Sequence, residues 1–253
     1  MDNNPRVSVI ISLYNYEKYI ADCIKSILNQ DYPNVEIIVV DDASTDRSYK
    51  VAKKYRSDNV KIIKFDKNRG YSAAKNEGIR NSEGEYIVML DADDMLTKGS
   101  ISDRMEVMLK NNADFVHANA FIIKGDCSLK YCYRTTDFEI GVFPSPYDIH
   151  AQSVMLKKQI HRDFGLYDES LRSRSDREMW WRLFGKSKED EVKNRVKRVH
   201  LNKPIVYYRY HRNMMTRFRQ KNRNYDNKIR VLSEGLYHIR KEGITKENTL
   251  FLQ

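Results

Sequence analysis

Four short, nearly uninterrupted apolar runs dominate the first part of the chain, and stretches of helical spacing separate them. The runs are Val7 to Leu13, Val35 to Val40, Val60 to Phe65 and Tyr86 to Leu90. Between them, Ile20, Ile24, Ile27 and Leu28 recur at helical spacing, Ser44 to Tyr55 reads as a helix with Asp46 near its start, and Ser72 to Arg80 as a shorter one. A strand that is apolar on both faces is buried on both faces. Alternation with helices therefore implies a mostly parallel, Rossmann-like sheet with helices on both sides, an α/β fold.

Ligands of such sheets sit beyond the carboxyl ends of the strands. Here those ends are acidic: the second run closes on Asp41-Asp42, the third leads into Asp66, and the fourth closes on Asp91-Ala92-Asp93-Asp94. This gathering is local, because Lys and Arg total 45 against 35 Asp and Glu, a net charge of +10. The surplus points to an anionic partner, whether nucleotide, membrane surface, acidic glycan or nucleic acid. No nucleic-acid module supports the last of these. With 41% hydrophobic residues over 253, the chain is no disordered polycation and can bury a sizeable core.

No run approaches the roughly 20 apolar residues of a membrane helix, and Met1 to Pro5 lacks the pattern of a signal peptide. A cytoplasmic location is expected, with the cytosolic face of a membrane as a variant of it. Cys23, Cys127 and Cys132 form no C-x-x-C pair and are expected to be reduced thiols, mostly in the core.

In the second half, Phe115 to Ile123 and Leu129 to Tyr133 are expected strands about a Gly125-Asp126 turn, and Phe143-Pro144-Ser145-Pro146 is a break. Asp176 to Phe184 carries helical spacing, with Met179, Trp180 and Leu183 on one face. From Arg217 to Lys241 eight cations face two acids, and Ile229, Leu232, Leu236 and Ile239 can share a helical stripe. Residues 217–253 are thus expected to be a basic helical extension, packed on the domain or touching an anionic membrane or lipid-linked acceptor.

Asp91-x-Asp93 can place carboxylate oxygens around one hard divalent cation, Mn²⁺ or Mg²⁺, which could bridge diphosphate oxygens. Aspartate pairs also end strands as turn formers and caps, so the pair alone is not decisive. Its neighbours are more specific. Val7 to Asn15, Ser26 to Gln30, Glu36 to Asp46, Asn68 to Ile79 and Gly84 to Asp94 occur in one order. Together they resemble the nucleotide-sugar half of inverting glycosyltransferases of family two, which have the GT-A fold.

That resemblance implies a division into a nucleotide-sugar half (1–96), an acceptor and catalytic half (97–216) and the extension (217–253). It implies that Tyr14 and Asp41 border the base, that Asn68 and Lys75 line the nucleotide and diphosphate, and that Asp91 faces the ribose and the metal shell. Asp93 would bind the metal directly, with His211 joining it. Asp42, Ser44 and Asp46 are read as caps. The segment Gly165 to Arg182 is similar to the family's stretch in which a carboxylate at a helix start is the catalytic base. Asp176 holds that place, Ser175 stands where an acid is usual, and Trp180 one turn on offers a surface for acceptor stacking. Ser12 and Ala43 stand where proline and glycine are frequent.

The implied activity is metal-dependent, non-processive transfer of a sugar from a nucleotide-diphospho-sugar, UDP-linked, to a hydroxyl of a glycan or lipid-linked glycan. A single base opposite the leaving group gives inversion in one displacement, since retention would need a second, nucleophilic carboxylate. Two rivals stand beside it. A sugar-phosphate nucleotidyltransferase needs a glycine-rich loop after the first strand, where this chain has Ser12-Leu-Tyr-Asn-Tyr16. A non-catalytic polyanion-binding module would leave the acids as caps only.

Overall fold

The computed structural model describes residues 4–133, 149–171, 174–184, 196–212 and 214. The break at 143–146 and the extension at 217–253 lie outside them. The described strands form one sheet of nine: β1 (Val7–Leu13), β2 (Val35–Asp41), β3 (Val60–Lys64), β4 (Tyr86–Asp91), β5 (Met95–Leu96), β6 (Phe115–Lys124), β7 (Leu129–Tyr133), β8 (Met155–Lys157) and β9 (Arg198–Tyr210). Their order is β3-β2-β1-β4-β8-β6-β9-β5, with β7 on β6. The β3-β2-β1-β4 block is parallel, as the apolar runs require. Beyond it β8 runs antiparallel to β4 and β6, so the whole sheet is mixed rather than mostly parallel.

Side-chain alternation explains why both faces are covered. Val7, Val9, Ile11 and Leu13 of β1 join one apolar cluster with α1 (Ile20–Leu28) and α4 (Ser100–Asn111). Ile10 joins the other, with α3 (Tyr71–Asn81) and α6 (Ser175–Phe184). On α3 a side chain at Gly78 would overlap Ile10, so glycine is what lets this helix lie directly on β1. Two helices are shorter, α2 (Ser48–Lys53) and α5 (Gln159–Asp163).

Helix α2 starts later than the sequence pattern suggests, because the residues before it serve the loop after β1. Ser44 Oγ accepts from the Asn15 amide (3.0 Å), and Asp46 accepts from the amides of Glu17 (3.1 Å) and Ser48 (2.8 Å). Ala43 sits at φ 58°, in the left-handed region that favours glycine, which accounts for glycine being the frequent residue there. The core expectation for the thiols holds for Cys23 alone. Cys127 and Cys132 are exposed, because Cys127 lies in the turn between β6 and β7 and Cys132 on β7, whose first four residues are all exposed. Among the described residues no helix is long and apolar enough to cross a membrane.

Candidate active site

The acids converge as the strand ends predict, and the fourth residue of the motif joins them. One ligand atom from each of Asp91, Asp93 and Asp94 lies within 4.8 Å of the others. Asp91 Oδ1 accepts from the Tyr71 hydroxyl (2.6 Å) and Oδ2 from Gln152 Nε2 (2.5 Å). His211 Nε2 stands 2.9 Å from Asp93 Oδ2, with the Tyr16 ring edge-on to the imidazole at 5.8 Å. Asp94 Oδ1 accepts from the Arg209 amide (2.8 Å), and its buried Oδ2 has no partner among the described residues.

Crowding sets the electrostatics. Burial, and then the charge of Asp93, raises the Asp91 carboxyl to about 6, against the pull of Lys75 and the two hydrogen bonds. Burial and the same neighbours raise Asp94 as well. Three carboxylates held this close, one with an orphaned oxygen and an imidazole beside them, are a donor set suited to Mg²⁺ or Mn²⁺.

Arg209 supports the cluster from behind. It is 2% exposed, its Nε donates to the Asp93 carbonyl (2.9 Å), Nη1 donates to the Gly125 carbonyl (3.2 Å) and to Cys127 Sγ (3.1 Å), and it covers the Tyr19 ring. Sequence reasoning missed Arg209, Tyr16, Tyr71 and Gln152. For Arg209 a signal existed: it lies two residues before His211 at the end of an extended run, so the two share a sheet face.

At the end of β2, Asp41 is fully buried. Its Oδ2 accepts from the Ser44 amide (3.3 Å), while Oδ1 has no partner among the described residues, and burial raises its pKa. Tyr14 and Asn68 are exposed near the same edge, Asn68 donating to the Asp42 carbonyl (3.2 Å). Asp42 is not a cap of α2. Its carboxylate accepts from the amides of Arg69 (2.6 Å) and Gly70 (2.9 Å) and so latches the loop that opens α3. Lys75 is 1% exposed, which excludes a solvated helix face, and lies over the rings of Tyr71 (4.1 Å) and Tyr167 (4.6 Å).

Asp176 lies in the first turn of α6, one residue inside its start, where the helix dipole favours a carboxylate. Its charge adds to burial and Asp91 in pushing up the Tyr71 hydroxyl, and to burial in pushing up that of Tyr167. It also opposes the burial that depresses His150 to about 4. Trp180 is a correction. The ring is 3% exposed and packs edge-on against Phe115 at 5.0 Å, because the apolar stripe of α6 faces the sheet. It is core, and no acceptor can stack on it there.

The family model "Glycosyl transferase family 2" matches residues 8–164. The chain belongs to this family. Among curated family relatives, an uncharacterised glycosyltransferase of Rickettsia prowazekii is 31% identical over 190 residues, 72% of this chain and 59% of that protein. Glycosyltransferase GlyG of Streptococcus pneumoniae is 35% identical over 161 residues, 63% of this chain and 50% of the relative. The chain thus spans little more than half the length of these relatives.

Solved structures share the GT-A fold of the family. S. aureus TarS 1-349 in complex with UDP-GlcNAc aligns with a TM-score of 0.66 at 22% identity, over 83% of this chain and 60% of that one. Mannosyltransferase PcManGT from Pyrobaculum calidifontis, in complex with GDP-Man and Mn²⁺, has a TM-score of 0.66 at 17% identity, covering 98% and 67%. At these identities the likeness speaks to the fold. The chain is an α/β member of glycosyl transferase family 2, and its aspartate cluster suits a divalent metal.

Proposed function

We propose that this glycosyltransferase moves one sugar from a UDP-linked donor to a hydroxyl of a glycan or lipid-linked glycan, with Mn²⁺ or Mg²⁺ and with inversion. The observation that carries this reading is the Asp91, Asp93 and Asp94 cluster at the carboxyl ends of the strands, with His211 beside Asp93. The complexes of related folds with UDP-GlcNAc and with GDP-Man and Mn²⁺ support donor chemistry of this kind. Bound there, the cation would neutralise the departing diphosphate.

The chain's own groups do the rest. Asp41 Oδ1, buried and without a partner among the described residues, accepts an N–H from the base, beside Tyr14 and Asn68. Asp91 meets the ribose and contributes to the metal shell, Asp93 and His211 hold the metal, and Asp94 joins them through its orphaned oxygen. Asp176 takes the proton of the acceptor hydroxyl as it attacks from the far face of the sugar. The basic residues 217–253 lie outside the described structure and are assigned to an anionic acceptor or a membrane surface. A location in the cytoplasm or at a cytosolic membrane face is part of the same proposal.

A screen of UDP-, dTDP- and GDP-sugars with Mn²⁺, read as nucleotide release and product anomer, tests the reading. UDP release dependent on metal and acceptor, with an inverted product, is expected. Release from triphosphates, a retained anomer or no turnover with any donor would overturn it.

A further inference from the structure

Lys75 is 1% exposed, and its position does not suit a ligand that meets a diphosphate arriving from solvent. It lies on α3, whose Gly78 lets the helix press on β1. Its ammonium is 4.1 Å from the Tyr71 ring centre and 4.6 Å from that of Tyr167, a cage from two different parts of the chain. Cation–π contacts of this kind gain strength when desolvated.

The two rings connect to the two carboxylate centres. Tyr71 donates its hydroxyl to Asp91 Oδ1 (2.6 Å). Tyr167 belongs to the segment leading to Asp176, and α3 fastens that segment. Asn76 Nδ2 donates to the Tyr167 carbonyl (2.8 Å), the Tyr167 amide donates to Asn76 Oδ1 (2.9 Å), and Ser72 Oγ donates to the Leu171 carbonyl (3.1 Å). The cage thus joins the ring that holds Asp91 to the segment that leads into Asp176.

Resting on the donor reading above, we propose that Lys75 is a positioning residue shared by Asp91 and Asp176, held in the Tyr71–Tyr167 cage, and not a ligand of the donor diphosphate. A buried cation shared by the nucleotide-side and base-side carboxylates holds the Tyr71 hydroxyl on Asp91. It also keeps the segment before Asp176 in register with the donor. The helix that borders the nucleotide thereby sets the geometry of the base.

Two measurements test this. The first acylates the unmodified full chain with N-hydroxysuccinimidyl acetate and reads each lysine by mass spectrometry, with and without UDP and Mn²⁺. Lys75 should react at least about tenfold more slowly than exposed Lys18 and Lys98, with no change on adding nucleotide. Labelling as fast as theirs and protected by UDP overturns the proposal. Absence of UDP binding by calorimetry would count against the donor reading instead, while slow labelling of free protein would still support the cage.

The second measurement compares Lys75→Met with the parent. Turnover should fall by about tenfold or more, with UDP–Mn²⁺ affinity within about threefold. Loss of affinity beyond tenfold, or unchanged turnover, overturns the assignment. If the variant does not fold, the acylation result decides.

Discussion

His211 Nε2 lies 2.9 Å from the Asp93 carboxylate although 118 residues separate them. Sheet register brings this about. Directly after the aspartate motif, Met95 and Leu96 of β5 pair with Tyr207 and Val206 of β9, and the Arg209 amide donates to Asp94. A strand that ends at Tyr210 must then deliver the next residue to the edge that carries the aspartates.

His211→Ala should therefore weaken Mn²⁺-dependent UDP binding by about 10- to 100-fold, and Asp93→Asn should weaken it further. Binding in the presence of EDTA should be alike in all three proteins. Calorimetric titrations check this, and a His211→Ala protein that binds UDP–Mn²⁺ like the parent would remove the histidine from the site.

Trp180→Ala should cost about 3–5 kcal/mol of stability, since the ring fills the core between α6 and β6. Trp180→Phe should leave the acceptor KM within about twofold of the parent. Urea unfolding and acceptor kinetics separate the two readings. An increased acceptor KM at unchanged stability would restore the stacking role.

His161 gives a pH dependence with a definite sign. Burial depresses its imidazole from 6.5 to about 4, so below 6.5 the unfolded chain binds a proton that the folded chain refuses. Its contribution is complete above pH 6.5 and is lost as pH falls toward 4. Buried carboxylates of raised pKa, such as Asp91, act with the opposite sign in the same window. The difference between His161→Phe and the parent isolates the imidazole. The variant should lose less stability between pH 6.5 and 4.5 in thermal unfolding, and identical pH slopes would refute this.

The parallel block and its acidic edge were legible because both depend on local patterns: unbroken apolar runs and the residues that stop them. The short strands β5 and β8 were not, since two or three residues carry no period and are created by pairing with β9, β4 and β6. Gln152 was invisible for the same reason. It bonds Asp91 only because the turn before β8 is delivered there by that antiparallel pairing. Trp180 failed differently: its spacing from Asp176 was right, but which face of α6 met the sheet was a tertiary fact.

Asp176→Asn provides the sharpest discrimination. As general base, Asp176 should lower turnover by about 10²- to 10⁴-fold when amidated, with donor and metal affinity nearly unchanged. A helix-capping role predicts little change, because asparagine is also a good cap. Geometry already weakens that alternative: α6 begins at Ser175, so Asp176 lies within the first turn and its carboxylate serves the helix dipole instead. Loss of that favourable charge is worth only about 0.3–1 kcal/mol, a small shift in unfolding midpoint and not a catalytic defect. Measured together, turnover and stability distinguish the roles. Turnover within a few-fold of the parent would leave Asp176 a structural residue, and the search for the base would move to other acids facing the cleft.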